Sequence, residues 1–337
     1  MTSDGGDAVK VVPVRHVGRW IAGAVMIVVV AMLVHTLFSK VSTGQTSCST
    51  VNGLRTCHPV TNWRFSWNIV FHYFTSSEIL HGLLLTIELT ILAMVMGIVL
   101  GITIAVMRLS PNRLLSSTAW SYTWFFRGTP VYVQLLFWFN ISAIYQSLSI
   151  GIPFTHVAFL HINAVSLFNP FRAALIGLGL NEGAYMSEIA RSGLIAVDEG
   201  QIEAASSLGM TRGQTLRLVV LPQAMRVIIP PTGNEVISML KTTSLASAIS
   251  VVEVLGAAQN IYAANYEVMP LLITASVWYL IITTVLSIGQ FYLERHFARG
   301  AQRTPPPTPI ARLRQDAKGI LAKFRTPRPA MTREVSA

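Results

Sequence analysis

The sequence predicts an all-α, polytopic membrane protein with six transmembrane helices and both termini in the cytoplasm. Three observations carry this expectation. Hydrophobic residues make up 52% of the chain and charged residues only 12%, where a soluble domain averages about 25% charged. So few charges cannot cover a soluble surface of this size. The charge-poor stretches also cluster into runs long enough to cross a bilayer. Finally, the basic segments all fall on one side once the runs are threaded back and forth.

The elements follow in order. Residues 1–19 are polar, with Lys10, Arg15 and Arg19 just ahead of the first apolar run. That run, 20–38, is longer than the roughly 7–15 residues of a signal-peptide core, and no small-residue cleavage site follows cleanly. It reads as a retained helix with its N-terminus inside. Residues 39–78 form an external segment. Trp63, Phe65, Trp67, Phe71, Tyr73 and Phe74 suit the membrane–water boundary there. Within it, Asn52-Gly53 is a two-residue hairpin signal. Folded about that turn, Val51 faces Leu54, Thr50 faces Arg55, Ser49 faces Thr56, and Cys48 faces Cys57, within disulfide reach. A disulfide-closed hairpin outside the cytoplasm is expected.

The second span, Ile79–Met107, ends at Arg108, with Pro111 and Arg113 close behind. The third runs over Thr129–Ile150, with Thr129 as cap and Pro130 at the first helical position, so that Arg127-Gly128-Thr129-Pro130 reads as a cytoplasmic entry. Residues 151–170 hold no Lys, Arg, Asp or Glu, as befits an external connection. Phe171–Ile189 crosses back. The stretch 191–226, with Arg191, Arg212, Arg217 and Arg226, is cytoplasmic. Val227–Leu255 goes out and Met269–Tyr292 returns. From Arg295 to Ala337 there are ten Lys/Arg and two acids. In a membrane protein such a tail, 297–337, reads as retained inside rather than as a nucleic-acid binder. Past the stiff linker Pro305–Pro309, residues Ile310–Arg325 show helical spacing of apolar and basic residues. That pattern fits either a helix on anionic lipid or a disordered basic tail.

Residues 198–222 carry the most specific pattern. Asp198 can cap a first short helix, Gly209 stands where a helix end wants a left-handed residue, and Thr211 with Gln214 forms a capping box for a second. Pro222 then ends or kinks that second helix. Two small residues, Ala204 and Ala205, let another backbone approach closely, as insertion into a partner's groove requires.

Glu203-Ala204-Ala205, three residues, Gly209, nine residues, then Val219-Val220-Leu221-Pro222 resembles the EAA loop of ABC importer permeases. Further stretches resemble the polar amino-acid branch of that family. They are Phe126-Arg127-Gly128-Thr129-Pro130, Ala184-Tyr185-Met186-Ser187-Glu188, and Gly233-Asn234-Glu235 through Lys241-Thr242-Thr243-Ser244-Leu245. The resemblance covers 79–296. It implies a five-helix type I importer permease core in a bacterial inner membrane, with helix 20–38 added. It also implies a second permease copy or a sister permease, two ABC ATPase subunits and an external solute-binding protein. Glu203, Ala204, Ala205, Gly209, Leu221 and Pro222 would couple to the ATPase. Lys241-Thr242 departs from the usual Lys-Asp, and Ser192 from the usual Gly.

The chain holds no Gly-x-x-x-x-Gly-Lys-Ser/Thr, so energy must come from a partner chain, and the protein itself is read as no enzyme. No cofactor is expected. His72, His81, His156 and His161 lack metal-ligand spacing. The pathway for an amino acid should show as polar groups with no place in lipid. Glu88, Asn181, Glu182, Tyr185, Asn234, Lys241, Thr242, Thr243 and Ser244 are the candidates, with Glu235 beside them. Pro230, Pro231 and Gly233 suggest that the fifth span is broken there. Glu88 or Glu182 would face an ammonium, and Lys241 or freed backbone N–H groups a carboxylate. Glu188 and Arg191 read as a local i,i+3 pair. The rival reading, an ion-coupled secondary transporter or channel, would need no cytoplasmic docking loop.

Overall fold

The computed structural model describes residues 17–51, 54–63, 65–145, 147–151 and 158–297. The basic residues Lys10 and Arg15, the Asn52-Gly53 turn, His156, the proline linker and the Ile310–Arg325 pattern lie outside the described residues.

Helices dominate the chain. Helix α1 spans Val17–Phe38, and the hairpin β1 (Lys40–Val51) with β2 (Leu54–Trp63) follows. In that hairpin Val51 pairs with Leu54 and Cys48 with Cys57, as the turn signal predicts. The side chains of both cysteines lie outside what is described. Then come α2 (Trp67–Phe74), α3 (Ser77–Arg108), α4 (Arg113–Gly128) and α5 (Val131–Ile144). A second hairpin, β3 (Ser147–Gly151) with β4 (Ala158–Asn163), takes the place of the end of the expected third span, Ser147–Ile150, and of part of the expected external connection. The alternation of Ser147, Leu148, Ser149 and Ile150 is a period-two signal in a stretch free of charge. The chain continues through α6 (Ala164–Leu167), α7 (Pro170–Ile195), α8 (Glu199–Ser207) and α9 (Arg212–Thr215). A π-turn (Leu216–Val220) leads into α10 (Leu221–Thr242), a 3-10 turn (Thr243–Ile249), α11 (Val254–Asn265) and α12 (Val268–Phe297). The described residues thus form helices and two peripheral hairpins.

Among the described residues two helices, α3 and α12, are long and apolar enough to cross a membrane. The Arg212–Ile249 run and α11, bent by 41° at their junction, make a third if they are one span. Their outward faces are apolar: Leu84, Ile91, Val95, Val99, Ile102 and Val106 of α3 are all exposed, as lipid contact requires.

The centre of the molecule is the α3–α7 crossing. Gly97-Ile98-Val99-Leu100-Gly101 on α3 meets Gly179-Leu180-Asn181-Glu182-Gly183 on α7. A Cβ on Gly97 would lie 2.4 Å from Glu182 Cγ, one on Gly101 2.5 Å from Met186 Cβ, one on Gly179 2.7 Å from the Met96 sulfur, and one on Gly183 3.0 Å from Leu100 Cβ. Paired small-xxx-small motifs of this kind let backbones touch where lipid offers no hydrophobic drive. The contacts advance together, Gly97 to Glu182 and Gly101 to Met186, so α3 and α7 run parallel. Around them Leu89, Met94, Leu135, Leu178, Met186, Met239 and Ile249 form the core.

Segments α4 and α5 run the other way beside α7. The Tyr122 hydroxyl donates to the Leu180 carbonyl at 2.7 Å, and Leu135 meets Gly177. This corrects the reading of Arg127–Pro130 as a cytoplasmic entry and of Thr129 as the start of a span. At 1.5 Å per residue, Asn181 and Glu182 lie about 17–18 Å into α7, near its middle, and Phe126 is bonded there. Pro130 breaks the α4–α5 run because it has no N–H for the Phe126 carbonyl. Gln134 Nε2 supplies that carbonyl at 3.0 Å, and Asn181 Nδ2 does so at 2.8 Å.

Two other proline expectations also change. Pro222 does not end a helix; the π-turn ahead of it widens the coil and the chain continues helical into α10. Pro230 and Pro231 sit inside α10. The break comes later, at the 3-10 turn and the left-handed Ser250. A neighbouring helix supports the proline step, with Gln290 Nε2 reaching the Pro230 carbonyl at 3.4 Å.

Candidate functional site

Beside the α3–α7 crossing lies a cavity of about 370 Å³. Its polar lining is Asn181, Glu182 and Tyr185 from α7 with Glu235, Ser238 and Thr242 from α10; Val131, Leu178, Met239 and Leu245 complete it. Four of the nine sequence candidates therefore converge: Asn181, Glu182, Tyr185 and Thr242. Glu182 is only 3% exposed. Its side chain and backbone are held against Gly97, and its Oε1 has no hydrogen-bond partner among the described residues. A buried carboxylate oxygen without a donor is costly, and such groups in native proteins call for an explanation. A cationic ligand would supply the missing donors.

The remaining candidates lie elsewhere. Glu88 is on the exposed face of α3. Asn234 is exposed and accepts from Gln290 Nε2 of α12 at 2.8 Å. Lys241 is exposed. Thr243 is fully buried and donates to the Leu240 carbonyl at 2.7 Å, while Ser244 donates to that of Lys241 at 2.7 Å. These two hydroxyls tie down the end of α10.

A second cavity, about 390 Å³, is lined by Arg108, Trp120, Thr123, Trp124, Arg127, Gly128, Tyr185 and Glu188. Tyr185 belongs to both cavities. The Arg127 guanidinium carbon stands 5.2 Å from the centre of the Tyr185 ring, within cation–π range. Toward the far end of α7, Glu188 pairs with Arg191 at 2.8 Å, the expected i,i+3 pair, and with Arg108 of α3 at 3.7 Å.

Sequence reasoning assigned Arg127 only a structural part and passed over Ser238 and Glu253. Glu253 is fully buried. It caps α11 by accepting from Leu255 N at 2.9 Å and Gly256 N at 2.8 Å, and the Tyr279 hydroxyl of α12 donates to it. The Thr86 hydroxyl of α3 lies 3.5 Å away. One carboxylate thus joins three helices. The signal available for it was an acid followed directly by a small-residue helix, Val254–Ala258.

Just beyond the C-terminal end of α7, Asp198 caps α8 by accepting from Gly200 N at 2.8 Å. Gly209 has φ +75°, the left-handed conformation that ends α8. The Thr211–Gln214 capping box opens α9. Glu203 and Ala204 face outward, and Leu221 and Pro222 are exposed at the start of α10. Ala205 is 3% exposed. Its methyl group is turned into the chain itself, so of the two alanines Ala204 is the one on the open face.

The inner-membrane component of binding-protein-dependent transport systems, as a family, matches residues 97–299. The chain is 43% identical over 311 residues to the arginine transport system permease protein ArgU of Corynebacterium glutamicum, covering 92% of this chain and 89% of that one. It is 35% identical over 229 residues to the nopaline transport system permease protein NocM of Agrobacterium fabrum, covering 66% and 90%. Among solved structures, a chain of an amino acid ABC transporter crystallised with histidines superimposes with a TM-score of 0.58 at 33% identity. That match covers 68% of this chain and 98% of that one.

Proposed function

The chain belongs to the binding-protein-dependent transport system inner membrane components, and from that premise we propose that it carries a cationic amino acid inward past Glu182. It is a multi-pass inner-membrane protein and a permease component of an amino-acid ABC importer. The single observation behind the substrate class is the Glu182 carboxyl, which lines the cavity together with Glu235 and whose buried Oε1 has no hydrogen-bond partner among the described residues. Two carboxylates in a low-dielectric site favour a ligand with positive charge to spare. The similarity to a permease named for arginine supports the same reading.

In the rest of the proposal the chain makes six spans with both termini inside. The second span of the core is the broken α4–α5 run, and α1 is an addition to a five-helix core ending near residue 296. The basic tail 297–337 stays in the cytoplasm and the cysteine hairpin outside. A second permease, this chain or a sister, completes the pathway in the lipid bilayer. Two ATPase subunits dock on α8 through Glu203 and Ala204, with Gly209 setting the turn and Leu221 and Pro222 passing the motion into α10. An external binding protein delivers the amino acid. Closure of the ATPases would then shift the balance between outward-open and inward-open states.

The test is reconstitution with the ATPase and binding protein, with competition among labelled arginine, histidine, glutamine and glutamate. Arginine or histidine is expected to win, and Glu182→Gln to weaken uptake of the winner. Glutamate uptake untouched by Glu182→Gln would sink the cationic reading. Uptake that persists without the ATPase would support the ion-coupled route instead.

A further inference from the structure

We propose that Arg127 receives the α-carboxylate of the transported amino acid, so that the pathway reads both ends of its substrate. The inference rests on the reading of the Glu182 cavity as the substrate site. That cavity supplies only negative charge, from Glu182 and Glu235. A basic amino acid placed there also brings a carboxylate, which needs a cation of its own.

Lys241 does not line the cavity and is exposed on another face. Arg108 is already paired with Glu188. Arg127 makes no ion pair among the described residues, and it stands at the junction of the two cavities, over the ring of Tyr185 that both share. Its backbone is fixed at the right depth. Asn181 and Gln134 both hold the Phe126 carbonyl next to it, and Gln134 also donates to the Thr129 hydroxyl at 2.7 Å. The guanidinium is exposed beside the middle of α7. A charge at that depth belongs to a polar passage and not to hydrocarbon. Its planar fork matches a carboxylate with two parallel hydrogen bonds, which an ammonium cannot do. A substrate whose side chain lies toward Glu182 and whose α-carboxylate lies toward Tyr185 would therefore span the junction.

The test uses the purified permease–ATPase complex without the binding protein, so that only the permease selects. Binding is measured for matched pairs of amino acid and decarboxylated amine: arginine and agmatine, lysine and cadaverine, histidine and histamine. The wild type should prefer the amino acid of its pair by about tenfold or more, the worth of a charge-assisted bond. Arg127→Gln should bring that ratio close to one without weakening amine binding, and Arg127→Lys should keep part of it. An unchanged ratio in Arg127→Gln overturns the proposal. So does an equal loss of amine and amino acid, which would mean that Arg127 only holds the fold. Glu182→Gln should instead weaken both members of a pair alike. If it weakens neither, the cavity reading fails, and that failure is distinct from any result at Arg127.

Discussion

Adding one methyl group at Gly97 tests whether the α3–α7 crossing sets the position of Glu182. In Gly97→Ala the new carbon would stand 2.4 Å from Glu182 Cγ and 2.7 Å from its Cβ. Carbon atoms rest at about 3.5–4.0 Å, so more than about 1 Å must be found. Glu182 Cβ is rooted on the helix, and the Glu182 carbonyl carbon is itself 3.3 Å away. Either α7 shifts or Glu182 leaves its rotamer. Overpacking of this sort costs about 1–3 kcal/mol, and an off-rotamer side chain about 0.5–1.5 kcal/mol. Alanine returns about 1 kcal/mol of helix propensity. If both adjustments are needed, the net loss is about 0.5–3.5 kcal/mol, a factor of about 2 to 400 in the equilibrium it touches. Two measurements on the reconstituted complex read it: the thermal midpoint should fall, and the KM for uptake should rise. Gly23→Ala, where nothing lies within 4 Å of the new atom, should change neither. A Gly97→Ala complex with wild-type melting and wild-type KM would refute the claim that backbone contact here positions the carboxylate.

Three further outcomes are expected. Gly209→Val forces a β-branched residue to φ +75°, which costs more than the roughly 1–2 kcal/mol of an ordinary left-handed residue; ATP hydrolysis should continue while uptake falls, and unchanged uptake would count against a coupling role for this turn. Glu253→Ala leaves the Tyr279 hydroxyl and two N–H groups at the start of α11 without their acceptor, at about 3 kcal/mol or more; the yield of folded protein should collapse, with Glu253→Gln intermediate, and a normal yield of Glu253→Ala would show that the buried node is dispensable. Cys48 and Cys57, as register partners, should be linked in protein from the native membrane, so that reductant changes gel mobility in the wild type and not in Cys48→Ser; free thiols in both would contradict the external hairpin.

The hydrophobic runs read from the sequence coincide with α3 and α12, because a long apolar helix needs nothing but its own composition to be recognised. The Thr211–Gln214 box and the turn at Gly209 were legible for a similar reason: capping is local chemistry. What escaped were the elements decided by neighbours. Pro130 does open a helix, α5, to within a residue of the expected start, but only the donors Gln134 and Asn181, the second 55 residues along the chain from the carbonyl it serves, show that this start is a break deep beside α7 and not a cytoplasmic entry. Pro230 and Pro231 looked like a break and are carried through. Glu88 and Glu182 read alike in sequence, each an acid in a span, yet one lies on an exposed face and the other is buried against glycine. The two small-xxx-small motifs were present in the sequence all along. Their partnership depends on a crossing that no single segment reveals.

That crossing has a mechanical corollary. Where Gly97 seats against the Glu182 side chain and Gly101 against the Met186 and Ser187 backbone, the two helices have little room to slide, so under the proposed coupling they would move as one body. Its lower end leads within a few residues into α8. Under the proposed coupling, a push delivered there would reach the neighbourhood of Glu182. The proposed coupling would then place the compliance in the π-turn before Pro222 and the 3-10 turn after Thr242, at the two ends of α10, with that helix as the joint and the glycine-packed pair as its lever.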